Sequence, residues 1–169
     1  MFRSDPLADP GPLIKRVYAY AAYRVGDGPD AEDVTSETFE RALRYRKSYD
    51  PRKGEPVAWL LGIAKRVVDG GWSKAEYATE DIDAPDTTDL EEETIRRLTV
   101  SRAVSALDER DRELIALRYG ADLTARQIAE LLEARTNAIE VALHRALGRL
   151  RGILGVEEEE PVRKRGVSQ

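Results

Sequence analysis

"ADLTARQIAELLEARTNAIEVALHRALGRL", residues 121–150, decides the fold. Its apolar residues recur at helical spacing, with no strand-like alternation. Thr124 and Gln127 carry the signature of a capping box: the hydroxyl accepts from a first-turn N–H, and the amide reaches back. Ile128, Ala129, Leu131 and Leu132 then form the buried side of a short helix. Glu133-Ala134-Arg135 turns the chain, and a second helix buries Ile139, Leu143, Ala146 or Leu147, and Leu150. Helices this short cannot bury their stripes alone, so "ELIALRY" (113–119) is required as a third wall. A three-helix unit with an exposed second helix fits docking in the major groove. The same spacing also fits a helical hairpin used for protein contacts.

The exposed side of that second helix offers Arg135, Thr136, Asn137, Glu140, Val141, His144, Arg145 and Arg149. Asn and Arg can pair with adenine and guanine edges, and Thr or Val can pack on a thymine methyl. Arg126 and Arg135 suit phosphates. Glu140 runs against this pattern, because a carboxylate near phosphates is repelled. It reads either as a helix-start residue, boxed with Asn137 or favoured by the helix dipole, or as an acceptor for a cytosine amino group.

Composition narrows the function classes. The absence of Cys excludes disulfides, thiol chemistry and thiolate zinc sites, and a single His excludes a histidine-rich metal site. Candidate catalytic groups are therefore few: no catalytic residue, metal or cofactor is expected, and the chain reads as a non-enzyme. No apolar run reaches membrane-spanning length, and the polar, Pro-containing start lacks the apolar core of a signal peptide, so a cytoplasmic location is expected, without membrane insertion. The net charge of −5 seems wrong for a nucleic-acid binder, but the charge is unevenly placed. Residues 79–94 hold eight acids and no base, whereas 95–154 hold 11 bases and eight acids, so the whole-chain charge says little about either half.

The remaining segments are also helical in pattern. "PLIKRVYAYAAYRVG" (12–26) puts Leu13, Val17, Tyr20 and Ala21 on one face and closes at Gly26. "PDAEDVTSETFERALRYRKSY" (29–49) takes Asp30 as its N-cap and lines Ala31, Val34, Thr38 and Ala42 along one face. "DPRKGE" (50–55) is a turn, and "PVAWLLGIAKRVVDGGWSK" (56–74) starts a strongly apolar helix at Pro56 that weakens at Gly70-Gly71. Helices resume near Ile95. The expected architecture is all-α: a helical domain over 1–78, an acidic flexible linker over 79–94, a helix-turn-helix domain over 95–154, and a disordered tail over 155–169.

Two blocks in this order resemble the bacterial sigma factors of the extracytoplasmic-function (ECF) type, in the sigma-70 family. "DAEDVTSETFERAL" followed by "YDPRKGEPVAWLLGIAKRVV" looks like region two, which binds the polymerase clamp and the minus-ten element. "ALDERDRELIALRYGADLTARQIAELL" with "ALHRALGRL" is similar to region four, which binds the polymerase flap and the minus-thirty-five element. The resemblance implies a factor that binds core RNA polymerase and directs promoter-specific initiation, nucleoid-associated when in holoenzyme, with an anti-sigma factor as a further partner and no small-molecule substrate. It places Asp33, Glu37, Glu40 and Arg41 at the clamp coiled coil. Tyr49, Arg52, Lys53, Trp59, Lys65 and Arg66 fall at the minus-ten DNA, with Tyr49 as a stacking residue and Trp59 better suited to the core. Arg126, Arg135, Thr136, Asn137, Glu140, Val141, His144, Arg145 and Arg149 fall at the minus-thirty-five DNA.

The bland reading of the acidic face is a solvated surface with Glu37–Arg41 and Glu40–Arg44 pairs, each worth a few tenths of a kcal/mol. Departures from the family pattern are plain. Lys65, Arg66 and Gly70 stand where Arg-Asn and Asp are usual, and two adjacent glycines cost roughly 2 kcal/mol of helix propensity, so that helix should end early. Glu140, Val141 and Ala142 replace basic positions of region four, and Glu133 replaces the common turn glycine. Two other readings remain at this point: a stand-alone helix-turn-helix regulator, and a sigma-like protein-interaction module that has lost DNA reading.

Overall fold

The computed structural model describes residues 5–70 and 88–155, with backbone alone over 88–90. Most of the acidic stretch 79–94 and all but the first residue of the 155–169 tail lie outside the described residues. Every element among the described residues is helical. In order they are α1 (Pro10–Val25), α2 (Pro29–Arg44), a 3-10 turn (Arg46–Ser48), α3 (Pro56–Asp69), α4 (Thr88–Ser105), α5 (Glu109–Ile115), a π-helical turn (Ala116–Gly120), α6 (Ala125–Leu131) and α7 (Thr136–Leu154).

Helices α1, α2 and α3 each begin with Pro in the first turn, where the missing N–H has no intrahelical partner to lose. The α1–α2 corner is set by Gly26 and Gly28, at φ 95° and 118°, a region that side chains with a β-carbon rarely enter. Gly28, rather than Asp30, is the N-cap of α2; Asp30 lies inside the first turn, where its charge favours the helix dipole. Helix α3 stops at Asp69 with Gly70 as its cap, as the paired glycines imply. Helix α4 begins at Thr88, ahead of Ile95, so the acidic residues 91–93 belong to a helix rather than to a linker.

The helix-turn-helix forms as read. Thr124 accepts from Gln127 N–H at 3.2 Å, and the Gln127 side chain receives the Thr124 N–H at 2.9 Å, closing the capping box. Ile128, Ala129, Ile139, Ala146 and Leu150 are buried, and α5 supplies the third wall with Leu114 and Ile115. One feature has no counterpart in the sequence pattern. The turn Ala116–Gly120 is π-helical, closed by Ala121 N–H to Ala116 O at 2.9 Å.

The two modules, read from sequence as tethered units, pack against one another. A single buried cluster runs from Val17, Tyr20, Leu60, Leu61 and Val67 of the first into Leu114, Leu117, Leu123 and Ile128 of the second. A separate small cluster of Ala103, Val104, Leu107, Ile115, Ala146 and Leu150 seats α4 on α7. Burial of this kind stabilises by about 25 cal/mol per Å² of apolar surface.

Candidate polymerase and nucleic-acid interfaces

Helix α2 presents one face to α1 and α3 and the other to solvent. Ala31, Val34, Thr35, Thr38 and Ala42 are buried. Helical spacing then puts Asp33, Glu37, Glu40 and Leu43 on the open side. Asp33 and Glu40 are exposed and make no ion pair among the described residues, while Glu37 receives the Arg41 Nε at 2.7 Å. The Glu37–Arg41 pair forms and a Glu40–Arg44 pair does not. Leu43 is 60% exposed on the same side, an apolar residue among acids.

The minus-ten candidates fall into three settings. Tyr49 is buried, donates its hydroxyl to Gly54 O at 3.0 Å, and meets the Trp59 ring at 5.5 Å, so the two aromatics brace the 50–55 loop. Burial raises the Tyr49 phenol above its ordinary value. Arg52 and Lys53 stand exposed on the loop, and Arg52 forks onto Asp50 at 3.1 and 3.0 Å. That hydrogen bond holds the Asp50 carboxyl below its ordinary value. Lys65 and Arg66 lie on the last turns of α3, beside Leu131 of α6; Lys65 pairs with Asp69, and Arg66 is exposed, with no ion pair among the described residues.

The recognition helix α7 is open to solvent along the expected side. Arg135, Thr136, Asn137, Glu140, Val141, His144 and Arg145 are all exposed, and among the described residues none of their side chains has a hydrogen-bond or ion-pair partner. Arg135 is the N-cap and forms no side-chain cap, and Glu140 makes no box with Asn137. Two candidates have structural partners instead. Arg126 pairs with Glu130 at 3.3 Å on the exposed side of α6. Arg149 reaches the buried Asp111 at 2.6 Å, and this bond raises its pKa above its already high ordinary value. The turn residue Glu133 sits at φ 53°, the left-handed region where glycine is the usual occupant.

Sequence reasoning missed the residues that join the modules. Arg16 donates to Ala121 O at 2.7 Å and to Asp122 O at 2.9 Å. Tyr20 donates its hydroxyl to Glu113 at 2.9 Å. Arg24 meets Glu113 at 2.5 Å and Asp69 at 3.2 Å. Burial pushes the Tyr20 phenol well up and the Glu113 carboxyl up. For Arg24, burial works to lower the pKa, but the adjacent Glu113 carries it upward. One signal was available: Arg24 continues the buried Val17–Tyr20–Ala21 stripe of α1, and a cation on such a stripe implies an opposing charge elsewhere.

Among the described residues no group of His, Asp and Glu is arranged to hold a metal ion, and no helix is long and apolar enough to cross a membrane. The family model for Sigma-70 region 2 matches residues 12–74, and that for Sigma-70, region 4 matches residues 97–150. The chain is 30% identical over 151 residues to the ECF RNA polymerase sigma factor SigK of Mycobacterium tuberculosis, covering 83% of this chain and 81% of that protein. It is also 30% identical over 148 residues to the ECF RNA polymerase sigma factor BldN of Streptomyces coelicolor, covering 82% of this chain but 56% of that longer relative. Two solved structures share the fold. CnrH in complex with the cytosolic domain of CnrY has a TM-score of 0.60 at 21% identity, covering 89% of this chain and 86% of its own. RpoE of Bartonella quintana, in complex with the anti-sigma factor NepR, has a TM-score of 0.61 at 20% identity, covering 86% and 93%. The two matched regions, in that order over one chain, and the coverage of SigK place this protein in the sigma-70 family, among the ECF RNA polymerase sigma factors.

Proposed function

We propose that this sigma factor joins core RNA polymerase through the open face of α2, and that the resulting holoenzyme is directed to promoters by α3 with the 50–55 loop at the minus-ten element and by α7 at the minus-thirty-five element. In this reading Asp33, Glu37 and Glu40 meet basic residues of the clamp coiled coil, with Arg41 holding Glu37 in place. The second module meets the flap. Arg52, Lys53, Lys65 and Arg66 hold phosphates of the opened strand. Arg135, Thr136, Asn137, His144 and Arg145 read the upstream duplex, with Val141 against a thymine methyl. The polymerase performs nucleotidyl transfer, and this chain contributes no catalytic group. The work takes place in the cytoplasm, at the nucleoid when the holoenzyme forms. A sequestering protein is a further partner, in line with the CnrY and NepR complexes of the structural relatives.

The observation that carries this reading is the exposed face of α7, with Thr136, Asn137, His144 and Arg145 open to solvent, on the same chain as an exposed acidic face of α2. A stand-alone DNA-binding regulator has no use for the second feature. Binding of the full chain to purified core polymerase tests it, by mobility shift or interferometry. Asp33→Lys with Glu37→Lys should abolish association while Arg145→Ala leaves it unchanged. Unaltered association of the double variant would remove the clamp contact from the account.

A further inference from the structure

The seam between the modules is not evenly filled. Where the π turn meets α1 it is tight: a β-carbon on Gly120 would stand 2.9 Å from the Tyr23 ring and 3.0 Å from the Ala19 carbonyl oxygen. Where α4 passes α1 it stands open, as a cleft of about 570 Å³. That volume falls within the roughly 300–1,000 Å³ usual for small-molecule sites. Val100 and Val104, one turn apart on α4, line it together with Ala22 and Tyr23 of α1, which gives the cleft an apolar length.

The charged side chains that line the same cleft are unequally matched. Arg24 meets three carboxylates, Glu113 at 2.5 Å, Asp69 at 3.2 Å and Glu109 at 3.6 Å. Arg97 is matched by Asp27 at 2.8 Å, a pair that ties α4 to the α1–α2 corner. Arg96 and Arg112 have no ion pair among the described residues. Arg112 is the inner of the two and is half-buried. Its Nη2 donates to Ser105 O at 2.7 Å and to Leu107 O at 3.0 Å, and its Nε is buried without a hydrogen-bond partner. The two carbonyls fix the guanidinium at the C-terminal end of α4 but bring no full negative charge to balance it. A half-buried cation without a counter-charge is costly, and an anion beside it relieves that cost.

We infer that the cleft between α1 and α4 is a binding site for an amphipathic anion, an unbranched aliphatic acid whose head group sits at Arg112 and whose chain runs along Val104 and Val100. From Ser105 to Arg96 the cleft follows α4 for about 13 Å at about 1.5 Å per residue, the length of an extended chain of about ten carbons. Arg96, exposed at the far end, can lay its methylene stem over the chain while its charge stays in water. The occupant touches α1 of the first module and α4 of the second, so its binding stabilises their contact in step with its concentration.

The test uses the full chain, with sodium decanoate below its micelle-forming concentration as the probe and decanol and butyrate as comparisons. Titration calorimetry should show one saturable decanoate site. Decanol, which lacks the charge, should bind at least about tenfold more weakly, the weight of one charge-assisted contact, and butyrate, which lacks the chain, should not bind. Ser101→Trp places a large side chain at an exposed position of the cleft wall and should abolish decanoate binding while helical content by circular dichroism is kept. Arg112→Gln should weaken decanoate to the level of decanol and leave decanol unchanged, which a purely structural role for Arg112 would not do. No decanoate binding, or equal affinity for decanoate and decanol, overturns the anion site. Binding that does not saturate, or that is as strong in Ser101→Trp as in the native chain, places the acid elsewhere on the surface and overturns the cleft. Loss of decanol along with decanoate in Arg112→Gln removes the head-group contact from Arg112.

Discussion

Arg24 and Glu113 form an ion pair across the seam between the two modules, with side chains 3% and 9% exposed. The Arg24 Nε and the carboxylate meet as charges at 2.5 Å without the alignment of a hydrogen bond. Taking both groups out of water costs several kcal/mol each, and a poorly aligned pair returns only part of it. The apolar seam packs the modules together, and this pair adds little net stability to it.

Replacing both members by apolar residues should therefore tighten the closed state. Arg24→Met with Glu113→Met is expected to raise stability by anywhere from nothing to about 4 kcal/mol, as buried pairs elsewhere do. Arg24→Met alone should instead be strongly destabilising to docking, because it leaves Glu113 as an uncompensated buried charge. Glu113→Met alone should cost less, because Arg24 keeps Asp69 at 3.2 Å. Chemical denaturation of the three variants checks this. A double variant less stable than both singles would contradict it.

The pair also gives closure a pH dependence. Burial raises the Glu113 carboxyl above its ordinary value of 4.5, so the closed state binds this proton more tightly than the open one. Closure should strengthen as pH falls from neutrality through the raised value, and gain nothing more from this group below about 4.5. The stability gap between the native chain and Glu113→Gln, from chemical denaturation over this range, should narrow as pH falls. A gap that stays constant with pH would show that Glu113 does not sense closure.

Glu133 occupies the helix-turn-helix corner at φ 53°, where a β-carbon costs about 1–2 kcal/mol. Glu133→Gly should raise stability by up to about 1 kcal/mol, read as a higher Tm, after the flexibility of glycine in the unfolded chain is set against the relieved strain. In the same unit Thr124→Ala removes the hydroxyl of the capping box and should cost about 1 kcal/mol. Thermal unfolding by circular dichroism measures both.

Arg149 and Arg145 look alike in the sequence and differ in the structure. Arg149 satisfies the buried Asp111 at 2.6 Å, whereas Arg145 is exposed, with no side-chain partner among the described residues. Arg149→Ala is expected to lower the Tm as well as promoter binding, and Arg145→Ala to lower promoter binding alone. Equal Tm losses would remove the structural distinction between them.

What the sequence made legible follows from which signals are local. The Thr124–Gln127 box, the Ile128 to Leu150 stripes and the early end of α3 at Asp69 depend on residues within a turn or two of one another, and all stand as read. Gly28 displaced Asp30 as the α2 cap because Pro29 fills the first helical position, which moves the cap back by two residues. The π turn at Ala116–Gly120 inserts no new residue type and leaves the apolar pattern readable as α-helix. Docking of the modules was hidden for a different reason. Arg24 on its apolar stripe calls for an opposing charge, but Glu113 looks like an ordinary helix-surface acid, and only the fold brings the two together. Tyr49 reads as an open stacking residue in the sequence, yet in the structure it is seated on Trp59. Hence a single loop residue can brace its own loop, a choice that composition does not encode.

The central claim is tested most directly by transcription in vitro, with purified core RNA polymerase, the full chain and a genomic promoter library. The account predicts a defined set of transcript starts that require the chain and share a common upstream and downstream element. It predicts loss of those starts with Asp33→Lys and Glu37→Lys, and altered upstream preference with Asn137→Ala. Core polymerase whose start sites are the same with and without the chain would contradict it.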